Sequence, residues 1–321
     1  MLSSKITSIR TQFLKSYHVF VRFQLTLNHA LTAIFVALIW GVGFSIVEIG
    51  LSDFPPIFNV AIRFITVVFP LVFFVKRPNV GFHYVCFLGI SYTCTFSLIY
   101  LGIYSGVPSG LSSLILQSTV LFSVLLSCFF FKEVFSLTQF IALLVGSIGI
   151  LLIAIDGDYK ASFIGFLIVV LASFFNALCT VIIKKSGGSL ELFPLMVWSS
   201  IIPPIPLLIL SYFYESQQIQ SLINIDAVGV FSVYYTSIIA TVLAFILWGR
   251  LLSIYPVSTV APFNLLIPFF ALFSSSILLG ETFSGSVFIS FFLISSSLVI
   301  IFFESSLNHV FKQIKSFFKY S

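Results

Sequence analysis

Charge is scarce in this chain. Of its 321 residues only 8% are Asp, Glu, Lys or Arg, whereas 59% are hydrophobic. A soluble domain carries about 25% charged residues. The deficit excludes a water-facing surface over most of the molecule and leaves lipid as its main solvent. Cysteine is also sparse: Cys86, Cys94, Cys128 and Cys179 all fall in apolar runs and form no CxxC pair. Neither a disulfide framework nor a metal site is expected from them. No GxxxxGK[ST] loop is present, so ATP is not expected to drive any activity. His18, His29, His83 and His309 lie in tails or at span ends, and there is no HExxH or buried Asp/His cluster. A membrane-embedded enzyme lacks its usual chemistry here, and no cofactor is expected. The net charge of +5 belongs to loops and tails, so nucleic acid is not an expected partner. No small-residue cleavage site follows the first apolar run, and residues 1–28 are not read as a signal peptide.

Long apolar runs are abundant. They predict an all-α integral membrane protein with ten transmembrane helices, at about 30–50, 55–75, 80–102, 108–131, 136–155, 162–183, 192–214, 227–248, 257–279 and 284–303. Each is near the length that crosses a hydrocarbon core of roughly 30 Å. Lys and Arg set the orientation. With the N-terminus in the cytoplasm and alternating sides, the cytoplasmic segments hold Lys5, Arg10, Lys15, Arg22, Lys76, Arg77, Lys132, Lys184, Lys185, Arg250, Lys312, Lys315 and Lys319. The opposite side holds Lys160, and Arg63 is left inside the membrane. Both termini are therefore expected in the cytoplasm. Residues 1–28 and 305–321 read as basic amphipathic tails on the anionic inner surface of the bilayer.

The chain also repeats itself. At an offset of 148, Pro108 aligns with Pro256, Glu133 with Glu281, Phe135 with Phe283 and Ser136 with Ser284. A weaker alignment at 136 matches Trp40 with Asn176 and Glu48 with Lys184. The repeats are 30–155 and 162–303, joined by the short Asp156-Gly-Asp-Tyr-Lys160 link. Five helices per repeat is an odd number, so the second copy enters from the opposite side. The expectation is two inverted five-helix repeats about a pseudo-two-fold axis in the membrane plane, with a substrate path between them.

Several segments carry a resemblance to a known family. They are Trp40-Gly41, Arg63-Phe64, Phe69-Pro70, Phe73 to Pro78, Gly106-Val-Pro-Ser-Gly-Leu-Ser-Ser-Leu-Ile-Leu-Gln117, Lys184-Lys185, Val197-Trp-Ser199, Pro204 to Pro206, Trp248-Gly249 and Val260-Ala-Pro262 to Pro268. Over about residues 30–303 the chain resembles the EamA family of the drug/metabolite transporter superfamily. The resemblance implies ten helices in an inverted repeat, a central cavity lined mainly by helices 1, 3, 4, 6, 8 and 9, and alternating access. It implies a secondary exporter of a small metabolite, an amino acid or a derivative such as cysteine or O-acetylserine, in the cytoplasmic (inner) membrane of a bacterium. Two positions depart from the exporter-like pattern. Glu48 stands where that pattern has a basic residue, and Asn176 where it has a tryptophan.

Polar residues inside spans are the candidate site, because lipid leaves their hydrogen bonds unmade. Arg63 reads either as a fork for a substrate carboxylate or as a structural cation. Gln117, with Ser118 and Thr119 behind it, and Asn264 sit in equivalent helices of the two repeats; they read as ligand-orienting amides or as interhelical glue. Asn176 lies on a cavity-type helix, and Trp40 reads as a wall of the site or as one of three interfacial belt residues with Trp198 and Trp248. Glu48 reads as a proton-coupling carboxylate or as a solvated helix-end charge beside Asp53. Pro108 and Pro256 start their helices, whereas Pro262 and Pro268 are expected to kink helix 9. Glu133 and Glu281 read as helix-end anchors.

The expected partners are thus a small-molecule substrate, the bilayer, an optional proton gradient and an optional second copy in a homodimer. Three other readings stay open: uptake or exchange in place of export, a nucleoside-like or S-adenosylmethionine-like substrate, and a non-transporting scaffold.

Overall fold

The computed structural model describes residues 26–132, 136–155, 163–187 and 191–301, and these are helical with no strand among them. The inter-repeat link 156–160, Glu133 and most of both basic tails lie outside the described residues. Among the described residues nine helices are long and apolar enough to cross a membrane: α1 (Leu27–Gly50), α2 (Pro56–Phe74), α3 (Phe82–Tyr104), α4 (Ser109–Phe131), α5 (Leu137–Ile155), α6 (Phe163–Ser186), α7 (Leu192–Tyr214), α8 (Ala227–Ile254) and α9 (Ala261–Leu279). A shorter apolar helix, α10 (Gly285–Ile301), follows. Large side chains such as Phe73, Phe74, Phe129, Tyr212 and Tyr214 point outward from the bundle, as lipid-facing residues do.

Small residues decide which helices touch. A Cβ on Gly41 of α1 would stand 2.6 Å from the Phe270 Cβ and 2.7 Å from the Ile267 carbonyl oxygen of α9. A Cβ on Gly102 of α3 would collide with Val169 of α6, and one on Gly110 of α4 with Ser275 of α9. Glycine lets these backbones approach where a side chain would hold them apart. The α5–α10 contact follows the same rule. Gly146 and Gly149 face Ser297 and Ile294, and the Ser297 hydroxyl donates to the Ala142 carbonyl at 2.6 Å.

Carboxylates cap two of these helices, one from its own N-cap and one from a neighbouring helix end. Asp226 caps α8 directly, accepting from the Val228 and Gly229 amides at 2.8 Å each. α2 begins after Pro55 with no side-chain cap; Glu215, from the end of α7, accepts from the Ile57 and Phe58 amides at 2.7 and 2.9 Å. These contacts satisfy orphan donors and place negative charge at the positive end of the helix dipole.

Five of the expected spans are not continuous α-helices. α2 is interrupted at Phe69-Pro70, where proline supplies no amide. α4 changes course at Gln117, whose amide bonds three residues back to Leu114. α7 breaks over residues 200–203, between Leu192–Ser199 and Pro204–Tyr214. α8 widens to π geometry over Tyr235–Leu243. α9 opens with a 3-10 turn over Ala261–Leu265 before α geometry starts at Leu266. This last boundary corrects the expectation for the prolines. Pro262 lies in the 3-10 turn and Pro268 in the first turn of the α segment, where a missing amide leaves no ladder bond unmade. Neither proline kinks a continuous helix.

Trp248 is a second correction. It is only 9% exposed and packs at 5.4 Å on Trp40, so it is a core residue, not an interfacial belt residue. Trp198 is half-buried, and its indole donates to the Val75 carbonyl at 3.1 Å.

Candidate functional site

The six candidate residues fall into three groups. The first surrounds Arg63. This residue sits in the middle of α2 and is 7% exposed. Its Nη2 donates to the Thr241 hydroxyl of α8 at 3.0 Å, and its Nη1 lies 3.5 Å from the Tyr100 hydroxyl of α3. The guanidinium carbon stands 4.2 Å from the centre of the Phe96 ring, a cation–π contact. Among the described residues no carboxylate pairs with it, and its Nε is buried without a partner. A guanidinium has five N–H donors. The protein bonds one on each terminal nitrogen, covers the face with the Phe96 ring and leaves the Nε–H unpaired.

Trp40 belongs to the same group through α8. Its indole donates to the Ala240 carbonyl at 2.9 Å, one residue before Thr241. It also packs edge-on against Phe245 at 5.9 Å. Tyr235, at the start of the π segment, donates to the Ile39 carbonyl at 3.0 Å. A π turn displaces the carbonyl ladder, and the indole covers one oxygen of the displaced region. Trp40 and Arg63 therefore grip the same irregular stretch of α8 from α1 and α2.

The second group is polar and centres on the bend in α4. Gln117 Nε2 donates to the Asn264 carbonyl, in the 3-10 turn of α9, at 3.2 Å. Thr119 accepts from Asn176 Nδ2 of α6 at 3.2 Å. Ser173 of α6 donates to the Ile115 carbonyl at 3.3 Å, and Ser118 donates to the same oxygen. The Asn264 side-chain oxygen is buried with no partner. From the same bend of α4, Gln117 thus reaches Asn264 of α9 and Thr119 reaches Asn176 of α6. The two irregular segments of α4 and α9 touch where both have left α geometry.

The third group holds Glu48. Its carboxylate accepts from the Ser109 amide at 3.1 Å. Glu281 accepts from the same amide at 2.8 Å, from the Ser109 hydroxyl at 3.1 Å and from the Gly110 amide at 3.3 Å. Two carboxylates therefore share the start of α4, which Pro108 leaves without a side-chain cap. The anchor reading of Glu281 holds, and the helix it anchors is α4. Glu48 is not a solitary end charge beside Asp53. Asp53 instead faces Asp226, and burial first and that neighbour second raise its pKa above the ordinary aspartate value.

Thr241, Phe96 and Tyr100 were not singled out by sequence. A threonine or an aromatic in an apolar run carries no signal until its partner is known. The pairing of Glu48 with Glu281 was hidden in the same way, since the two lie far apart in sequence, in opposite halves of the chain.

Comparison with known proteins places this geometry in context. A "Probable amino-acid metabolite efflux pump" of Salmonella typhimurium is 34% identical over 277 residues, covering 84% of this chain and 92% of the relative. A protein of the same description in Escherichia coli is 32% identical over 278 residues, with the same coverage. An uncharacterized Bacillus subtilis transporter, YvbV, is 25% identical over 280 residues, covering 85% of this chain and 90% of its own length. A solved crystal structure with 13% identity superposes at a TM-score of 0.58, covering 85% of this chain and 96% of that one, a likeness of fold alone. The EamA-like transporter family matches residues 28–155 and 163–303. A multi-pass, all-helical membrane chain with this match belongs to the EamA-like transporter family.

Proposed function

We propose that the protein exports a small carboxylate-bearing metabolite, an amino acid or a derivative of the cysteine and O-acetylserine kind, across the cytoplasmic membrane of a bacterium. The observation that carries this reading is Arg63. A buried guanidinium with no carboxylate partner among the described residues and an unpaired Nε–H is an unfinished anion site in a medium where an unpaired charge is costly. A substrate carboxylate completes it through a two-point fork. The polar group of Gln117, Thr119, Asn176 and Asn264 supplies orienting amides and hydroxyls, and the unpaired Asn264 oxygen accepts from a substrate ammonium. Relatives described as amino-acid metabolite efflux pumps support both the substrate class and the direction.

The carrier works by alternating access between two inverted five-helix repeats, with both termini cytoplasmic and α10 as the tenth span. Helix contacts support the symmetry. Exchanging the repeats turns the α1–α9 pair into α6–α4, and the α3–α6 pair into α8–α1, and all four pairs pack. The family match in two consecutive segments supports the same division.

Glu48 and Glu281 form the proton-carrying pair. Like charges on one shared amide repel, and a proton held between them removes that repulsion. Its release and capture would loosen and tighten the start of α4, tying the proton gradient to movement of the helix that bears Gln117.

Counterflow in proteoliposomes preloaded with amino acids, cysteine and O-acetylserine among them, tests the reading. Wild type exchanges a carboxylate-bearing solute, and Arg63→Ala lowers that exchange about 100-fold while remaining folded. Undiminished exchange by Arg63→Ala assigns Arg63 to structure and removes the anion site.

A further inference from the structure

The hydroxyl of Thr241 bonds in a register that no other threonine described for this bundle uses. Thr66, Thr93 and Thr236 each donate to the carbonyl four residues back, at Ile62, Gly89 and Ser232. That is the ordinary back-bond of a hydroxyl in an α-helix. Thr241 donates to the carbonyl of Thr236, five residues back, at 2.8 Å. The longer reach follows the π turn of Tyr235–Leu243. In α geometry each residue advances by about 100° around the axis. Drawing the segment back to that register would turn the Thr241 hydroxyl away from α2 and withdraw it from Arg63. The π turn thus aims this hydroxyl, and a mid-helix π turn of this kind is often found at a functional site.

Thr241 is buried, at 4% exposure, and its oxygen both donates to Thr236 and accepts from Arg63 Nη2. With its proton committed to a backbone carbonyl, the oxygen is left as a fixed acceptor. Phe96 holds the face of the guanidinium, and Tyr100 lies 3.5 Å from the other terminal nitrogen. Of the groups around Arg63, Thr241 is the one that comes from the second repeat. Trp40 fixes the same turn at the preceding residue by covering the Ala240 carbonyl.

We infer that Thr241, aimed by the π turn of α8, is the positioning residue that holds the Arg63 guanidinium with its Nε side free for the substrate carboxylate. This rests on the proposed role of Arg63 and deepens it. The carboxylate-reading cation is on one repeat and the group that orients it is on the other. A relative movement of the repeats that parts Thr241 from Arg63 changes the site's hold on the carboxylate. A residue serving only to pack α8 against α2 would not have this property.

The test is selectivity. Full-length protein in proteoliposomes is assayed by counterflow with the twenty common amino acids and O-acetylserine. For each probe that wild type exchanges, the half-saturation concentration is compared with the inhibition constant of the matching carboxamide. Thr241→Val keeps the shape and loses the hydroxyl; Thr241→Ser keeps the hydroxyl. The expected result is an about tenfold rise in half-saturation for the carboxylate in Thr241→Val, little change for the carboxamide, and recovery in Thr241→Ser. Equal losses for carboxylate and carboxamide, an unaltered Thr241→Val, or a Thr241→Ser variant as impaired as Thr241→Val overturns the inference. Arg63→Ala separates the two claims. If it destroys carboxylate selectivity while Thr241→Val does not, Arg63 keeps its role and the positioning claim falls. If Arg63→Ala leaves selectivity intact, or wild type exchanges none of the probes, both fall together.

Discussion

Arg63 and Glu281 are both charged residues reaching from one repeat into the other, and they are treated oppositely. Glu281 is saturated: its two oxygens accept from the Ser109 amide, the Ser109 hydroxyl and the Gly110 amide, all at the start of α4. Arg63 is unsaturated, with an aromatic ring on its face, a hydroxyl at each terminal nitrogen and a buried Nε that has no partner. A charge whose bonds are all made within the protein holds elements together. A buried charge with bonds unmade is costly by itself and becomes favourable when a ligand arrives. The contrast sorts the polar residues of this bundle better than burial does, because buried groups such as Ser173 are fully engaged by backbone carbonyls.

Substitutions can break the contrast in order of expected size. Arg63→Ala is expected to lower exchange about 100-fold, since several hydrogen bonds to a charged ligand vanish together. Its melting temperature in detergent should change little, because removing an unpaired buried cation also removes its desolvation penalty. A collapse of the fold in this variant would make Arg63 a structural cation like any other.

Glu281→Ala should behave the other way. It leaves the first amides of α4 with only Glu48 as acceptor and is expected to cost about 2 kcal/mol of stability. Thermal unfolding would fall with transport, and a variant as stable as wild type would show that the clamp is ornamental. Glu48→Gln is the finer probe of the same pair. It keeps an acceptor for the Ser109 amide and removes the second charge. Counterflow should persist, and the acceleration of export by an imposed pH gradient should disappear. Retained acceleration would remove the pair from proton coupling.

Trp40→Phe leaves the Ala240 carbonyl uncovered and is expected to cost about 1 kcal/mol. The check is the unfolding midpoint beside that of Phe245→Leu, which disturbs the same aromatic contact without touching the carbonyl.

The smallest effect is expected at Asp53. Its folded-state pKa is raised by burial and by Asp226. A raised acid contributes stability in its protonated form, below the ordinary aspartate pKa, and loses it as pH rises through the folded value. At neutral pH Asp53 is therefore a mild burden. Asp53→Asn should raise the unfolding temperature slightly at pH 7 and flatten its dependence on pH just above the ordinary aspartate range. A lower unfolding temperature at pH 7 would show that the negative charge is useful there.

Much of this architecture was legible because lipid imposes simple rules. Length and hydropathy alone located the membrane-crossing helices, and the one cation left inside a span was the residue that proved unsaturated. Gln117 and Asn176 stood out for the same reason, because apolar surroundings press an amide to bond to a neighbouring helix, as these two do to the Asn264 carbonyl and to Thr119. Irregular backbone was not legible. The π turn of α8 lies in Tyr-Thr-Ser-Ile-Ile-Ala-Thr-Val-Leu, a stretch without glycine or proline. Pro268 was read as a mid-helix kink because the sequence does not show that α geometry begins only at Leu266.

Sequence by itself determined the solvent, the placement of the nine long apolar helices found among the described residues and the identity of the buried cation, since these depend on local composition and on the high free energy of an unsatisfied polar group in hydrocarbon. The tertiary structure alone decided that Glu48 meets Glu281, that Trp40 covers the Ala240 carbonyl and that Thr241 turns toward Arg63. Each of these contacts joins residues from opposite repeats. Whether such groups meet depends on helix register and crossing, which are set by packing over the whole bundle and not by any one span.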